Sequence, residues 1–151
     1  MKRCFVLVLA FLSIAAVATS FAIDDLKLNP NLNYESDSHD SPLITGSDAQ
    51  SGLVAGKPNY VIIYGEGCFN SKRQARRTVE LYSKYRGQVH FVAVDLDVRL
   101  SAGQEQLVKQ YYKGYIPHVV VLDAKGNPLY NRSGEVESGV IEGILQKTLT
   151  Q

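Results

Sequence analysis

From residue 59 onward the chain alternates between two hydrophobic rhythms. The runs YVIIY (60–64) and VHFVAV (89–94) are β-branched and lack strict alternation, which predicts short strands covered on both faces. Between them Ala75, Val79 and Tyr82 recur at helical spacing with charge opposite, and Gly87 ends the pattern. Ser101 and Gln104 stand at capping-box spacing ahead of a helix striped by Leu107 and Tyr111 and stopped at Gly114. HVVVLD and PLYNR flank AKGN, the signature of an antiparallel hairpin, and Val140, Ile141, Ile144 and Leu145 stripe a last helix. The order is β-α-β-α-β-β-α. A β-α-β crossover requires parallel neighbours, so the fold class is α/β, a mixed sheet of about four strands with helices on both faces.

The first part of the chain follows neither rhythm. Lys2 and Arg3 precede an apolar stretch (4–18), and Ser20 and Ala22 are small residues at the spacing of an export cleavage site. Residues 1–22 are therefore expected to be a signal peptide, with an uncleaved membrane anchor as the alternative. Cys4 stands at the start of the apolar stretch, where a lipoprotein acceptor would not be. Residues 23–51, rich in Asn, Asp, Ser and Gly, read as an irregular arm with a short helix capped by Ser47, leaving 52–151 as the domain. His39 lies in the arm between Asp37 and Asp40; a solvated loop histidine is the expectation there, and no metal site.

Charge and cysteine count narrow the function. With 45% hydrophobic and 21% charged residues the composition suits one globular domain. Sixteen Lys and Arg against fifteen Asp and Glu give +1, and losing Lys2 and Arg3 gives 14 − 15 = −1. Such a neutral chain is not a nucleic-acid binder recruited by bulk charge. Loss of Cys4 leaves Cys68 as the single thiol of an exported chain, able to pair only with another molecule.

Cys68 follows the first strand and opens a helix, with Ser71 three residues on and Lys72, Arg73, Arg76 and Arg77 behind it. The helix N-terminus, these cations and a Ser71 hydroxyl bond to sulfur would all favour a thiolate. Blander roles are equally open. Cys68 is then a small apolar filler, Ser71 a backbone cap and KRQARR a solvated face, although four cations near a helix N-terminus invite an anionic partner.

The arrangement from about residue 52 to residue 149 resembles the thioredoxin-like superfamily. Cys68 stands at the first position of that family's C-x-x-C motif, Ser71 at the second, and Lys72 at its following lysine. YIPHVVVLDAKGNPL resembles the segment carrying the family's cis-proline, and VAVDLD the strand end between the two motifs. The resemblance implies a cis bond at Pro117, beside Cys68, with Ile116 offering backbone N–H and C=O groups to an extended peptide. The departures are Ser71 for the resolving cysteine, Gly67 for tryptophan, Ile62 for the buried carboxylate, and His118 for threonine. A serine cannot attack a mixed disulfide, so a self-contained dithiol cycle is excluded.

Other candidates read as structural. His118 is expected to pack on its strand, and the tyrosines Tyr111, Tyr112 and Tyr115 to pack or line the groove; Asp95 and Asp97 face solvent at a strand end. NRS at Asn131 is a glycosylation pattern relevant only to a eukaryotic lumen. Two functions remain: a monothiol redox protein acting on a protein or peptide thiol or disulfide partner, with catalytic Cys68 and Ser71, groove residues Ile116 and Pro117, and electrostatic support from Lys72 and Arg73; or a non-catalytic binding module on the same scaffold. An iron–sulfur carrier fits less well, because Phe69 and Asn70 differ from the Gly-Phe centre of monothiol glutaredoxins and export removes glutathione. The chain is thus expected to be a monomer without cofactor or metal, in a bacterial periplasm or secreted, with no stable membrane insertion once the signal is removed.

Overall fold

The computed structural model describes residues 26–36 and 39–150. The expected signal peptide and Cys4 lie outside them. The segment read as an irregular arm is folded onto the domain wherever it is described. Strands β1 (Lys27–Leu28) and β2 (Leu43–Ile44) pair antiparallel, and Leu26, Leu32, Leu43 and Ala49 are buried. These scattered apolar residues have no period, so they mark anchor points and not an amphipathic element. The short helix expected after Ser47 is a single 3-10 turn, Asp48–Gln50, and Ser47 makes no side-chain cap bond.

The domain then runs β3 (Asn59–Tyr64), α1 (Phe69–Tyr85), β4 (His90–Asp95), α2 (Ala102–Tyr111), β5 (His118–Leu122), β6 (Pro128–Ser133) and α3 (Ser138–Leu149), the order read from the pattern. The sheet order is β4-β3-β5-β6, with β3 parallel to β4 and antiparallel to β5, and β5 antiparallel to β6. The hairpin is therefore half of the sheet, and its β5 is an inner strand. All residues of β3 and β5 are buried, which is why neither alternates.

Tyr60, Ile62, Val119 and Val121 meet α1 and α3 through Ala75, Leu81, Ile141 and Leu145 on one face. On the other, Val61, Ile63, Val92 and Val120 meet Leu107 and Tyr111 of α2. In α3, Val140 is 51% exposed and leaves the expected stripe. The Ser101–Gln104 capping box forms as read, Gln104 N–H donating to Ser101 Oγ at 3.3 Å and Ser101 N–H to Gln104 Oε1 at 2.9 Å.

Polar ties set the arm against the β4 edge, which would otherwise offer unpaired backbone. His90 Nε2 reaches Ser51 Oγ at 3.2 Å and Gly52 O at 3.1 Å, and Ser101 Oγ donates to Gln50 O at 2.9 Å. Gly103 and Gly52 make this approach possible: a Cβ on Gly103 would lie 2.7 Å from Gly52 Cα. Among the described residues no helix is long and apolar enough to cross a membrane.

Candidate functional site

The loop between β3 and α1 is shaped by two glycines and an aspartate. Gly67 has φ +68°, a conformation that a side chain rarely adopts, so glycine in place of tryptophan is what lets this turn form. A Cβ on Gly65 would come within 3.0 Å of both Asp97 Oδ2 and Ile116 Cδ1. Asp97 accepts the Glu66 N–H at 2.5 Å and its own N–H donates to Asp95 Oδ1 at 3.0 Å. Asp97 is thus a brace of the Cys68 loop across 31 residues of sequence, a part that its strand-end position did not signal.

Cys68 is the N-cap of α1 in an extended conformation, and its Lys72 N–H→Cys68 O bond (3.1 Å) begins the helix. The thiol is partly exposed and free. Sγ lies 3.9 Å from Ile116 O, and the Ile116–Pro117 peptide bond is cis. Cys68, Ile116 and Pro117, predicted from segments 48 residues apart, are therefore neighbours. The sulfur is neither sealed in the core nor remote from the proline. A carbonyl at this distance is an acceptor for S–H.

None of the side chains expected to activate the sulfur bonds to it. Ser71 is fully buried and its Oγ has no hydrogen-bond partner, so the bond from Ser71 to sulfur is not made. Lys72 is 1% exposed; its ammonium donates to Asn33 O at 3.1 Å and to Ser36 O, both in the arm. Arg73 pairs with Glu135 and lies 4.9 Å over the Phe69 ring. Arg77 pairs with Glu135 at 3.0 Å and with Glu137 at 2.5 Å, and Arg76 with Glu35 at 3.0 Å. The basic face of α1 is thus answered inside the chain by two segments distant in sequence, and the anionic partner that it invited is not required. Local sequence could not reveal this, because every counter-charge lies at least 35 residues away.

His118 is fully buried, with Nε2 2.7 Å from Asn131 Oδ1 and Nδ1 2.8 Å from Ser133 Oγ. Both ring nitrogens are used, and the edge of the ring meets Tyr112 at 6.1 Å. Asn131 accordingly serves this histidine from within β6. Of the three tyrosines, Tyr111 is buried in the α2 core, while Tyr115, next to Ile116, is 76% exposed. Ile62 lies buried among apolar neighbours. Tyr60 on the same face donates to or accepts from Thr78 Oγ1 at 2.8 Å, and burial pushes its phenol up to about 12.

His39 is exposed. Among the described residues no three His, Cys, Asp or Glu side chains group closely enough to hold a metal ion. Chemically, the arrangement offers a lone, partly exposed sulfur beside the backbone of Ile116.

No family model and no curated protein matches the sequence. Solved structures do. An uncharacterised thioredoxin-like protein from Clostridium perfringens matches at 20% identity with a TM-score of 0.53, over 66% of this chain and 82% of that one. The chain has the thioredoxin-like fold. Thioredoxin-2, a component of the malaria parasite protein secretion machinery, matches it at 18% identity and a TM-score of 0.52, over 63% of this chain and 86% of that one. A further malarial protein matches at 18% identity and 0.51, over 62% and 98%. At these identities the likeness concerns the thioredoxin-like architecture, the mixed four-stranded sheet with three helices.

Proposed function

We propose that this chain is an exported thioredoxin-fold protein whose Cys68 captures a disulfide-bonded protein or peptide as a mixed disulfide. One observation carries the reading: the partly exposed Sγ lies 3.9 Å from Ile116 O, at a cis Ile116–Pro117 bond. An extended peptide laid along Ile116 would bring its own sulfur to Cys68. In the reaction Cys68 loses its thiol proton to solvent and the thiolate attacks a partner disulfide. The partner S–S bond breaks, a Cys68–S–S–partner bond forms, and the displaced sulfur leaves as a thiolate that takes a proton. The disulfide count is unchanged and no outside oxidant is needed. Release requires a second thiol from another molecule, because Ser71 cannot supply one. With Lys72 and Arg73 engaged elsewhere, the helix N-terminus is the remaining activating influence, so capture is expected to be slower than with an unscreened cationic site. Proteolytic removal of 1–22 and delivery to a periplasm or the exterior belong to the same reading, supported by the charged-then-apolar prefix.

The test is alkylation of Cys68 across pH, together with incubation with a peptide disulfide and mass analysis. A mixed-disulfide adduct that thiol reductant removes, absent in Cys68→Ala, is the expected result. Ser71→Cys should release the captured peptide as a free thiol, the introduced sulfur attacking Cys68 Sγ of the mixed disulfide and leaving an intramolecular disulfide. A sulfur that forms no adduct, or an apparent thiol pKa above the free value of about 8.5, would overturn the redox reading in favour of the binding module. The unbonded Ser71 hydroxyl, which makes no bond to the sulfur, is the feature on which that second reading stands.

A further inference from the structure

At the same end of the sheet, on the side covered by the arm, lies a cavity of about 500 Å³ that the Cys68 chemistry does not use. Its inner wall is the last residue of each parallel strand, Tyr64 of β3 and Asp95 of β4, which are register partners. Ligands of α/β sheets commonly bind outside the carboxyl ends of parallel strands. The arm supplies the opposite wall and is bonded to it, Ser41 Oγ standing 3.2 Å from Tyr64 OH.

Two charges line this cavity without an ion-pair partner among the described residues. Asp95 is 7% exposed. Its carboxylate accepts the Asp97 N–H at 3.0 Å, yet no described cation pairs with it. A buried carboxylate held only by neutral donors retains a large unmet electrostatic demand. Arg99 lines the same space, is exposed, and pairs with neither Asp95 nor any other described acid. Apolar side chains, Leu43, Val98 and Leu100, line the same cavity. A simple amine would answer Asp95 but bring a second positive charge towards Arg99, and a simple anion would meet Asp95. A molecule bearing both signs and an aliphatic portion answers every wall at once.

We infer that this cavity binds a small zwitterion of the α-amino acid class. Its ammonium sits on Asp95, its carboxylate on Arg99, and its aliphatic side chain against Leu43, Val98 and Leu100. The site is separate from Cys68 and stands or falls independently of mixed-disulfide capture.

Isothermal titration of the full chain with L-leucine tests it, alongside leucinamide, which lacks the carboxylate, and N-acetyl-leucine, which lacks the ammonium. Saturable binding of L-leucine in the millimolar range or tighter is expected, with each analogue at least about tenfold weaker. Asp95→Asn should abolish binding and Arg99→Gln weaken it by about tenfold, while Cys68→Ala binds as the parent does. Because Arg99 is exposed, its variant keeps the fold whether or not Asp95→Asn does. Absence of saturable binding by L-leucine overturns the inference. So does equal binding of the two analogues, or an Arg99→Gln protein that binds L-leucine undiminished.

Discussion

The two sites at the carboxyl end of β3 and β4 differ in where the charge has gone. Around Cys68 there are cations in plenty, but each is turned away: Lys72 to arm carbonyls, Arg73 and Arg77 to Glu135, Arg76 to Glu35. The sulfur is left beside a carbonyl and a helix N-terminus. Around Asp95 the reverse holds, since a buried anion accepts the Asp97 N–H and pairs with no described cation. Both outcomes depend on the arm. It draws Lys72 away from the first site and walls the second. A charge written next to a reactive residue need not act on it. Its side chain goes to whichever acceptor the fold brings within reach, and a buried ammonium needs such acceptors more than an exposed thiol needs a cation.

Three substitutions probe this contrast. The largest effect is expected at Lys72. Lys72→Met keeps the buried stem but leaves Asn33 O and Ser36 O without their donor. Stability should fall by about 2 kcal/mol in urea unfolding, with faster proteolysis within the arm. An unchanged midpoint and an uncut arm would show that Lys72 does not hold the arm down. Next is Ser71→Ala. Removing a buried hydroxyl that bonds to nothing should raise stability by about 1 kcal/mol and leave the alkylation rate of Cys68 unaltered. A slower thiol in this variant would restore the role of Ser71 in stabilising the thiolate. The smallest effect belongs to Glu135→Gln, which frees Arg73 and Arg77 from their shared carboxylate. Arg73 is about half exposed, so solvent screens most of its field. Cys68 alkylation at a fixed pH below its midpoint should rise no more than about threefold. A rate that falls instead would mean that Glu135 helps the sulfur by holding these arginines in place.

Much of the architecture could be read without coordinates because it is local. The capping box at Ser101 and Gln104 needs only four residues, and the ends of α1 and α2 follow from their stripes and the glycines beyond them, Gly87 and Gly114. The contents of the site, Cys68 with Ile116 and Pro117, could be read only through their likeness to a known fold. Nothing in the spacing of residues 48 apart says that they meet. Asp97 went unrecognised as a brace because its acceptor role is towards a backbone N–H, which every residue but proline carries and no motif marks. The packing of the irregular arm onto the domain was illegible for a related reason: Leu26, Leu32 and Leu43 bury without periodicity, and an aperiodic anchor has the same appearance as a polar loop containing stray leucines.

By itself the sequence determined the succession of strands and helices, since hydrophobic period and capping act within a few residues of one another. It also determined the limit on the chemistry, because a serine at position 71 forbids a second thiol whatever surrounds it. Only the tertiary structure decided which charges reach the sulfur, that the arm is part of the packed body, and that Asp95 and Arg99 line one cavity without neutralising one another. Those outcomes are set by distances between segments far apart in the chain, and Coulomb and hydrogen-bond energies depend on distance and burial, not on order along the backbone.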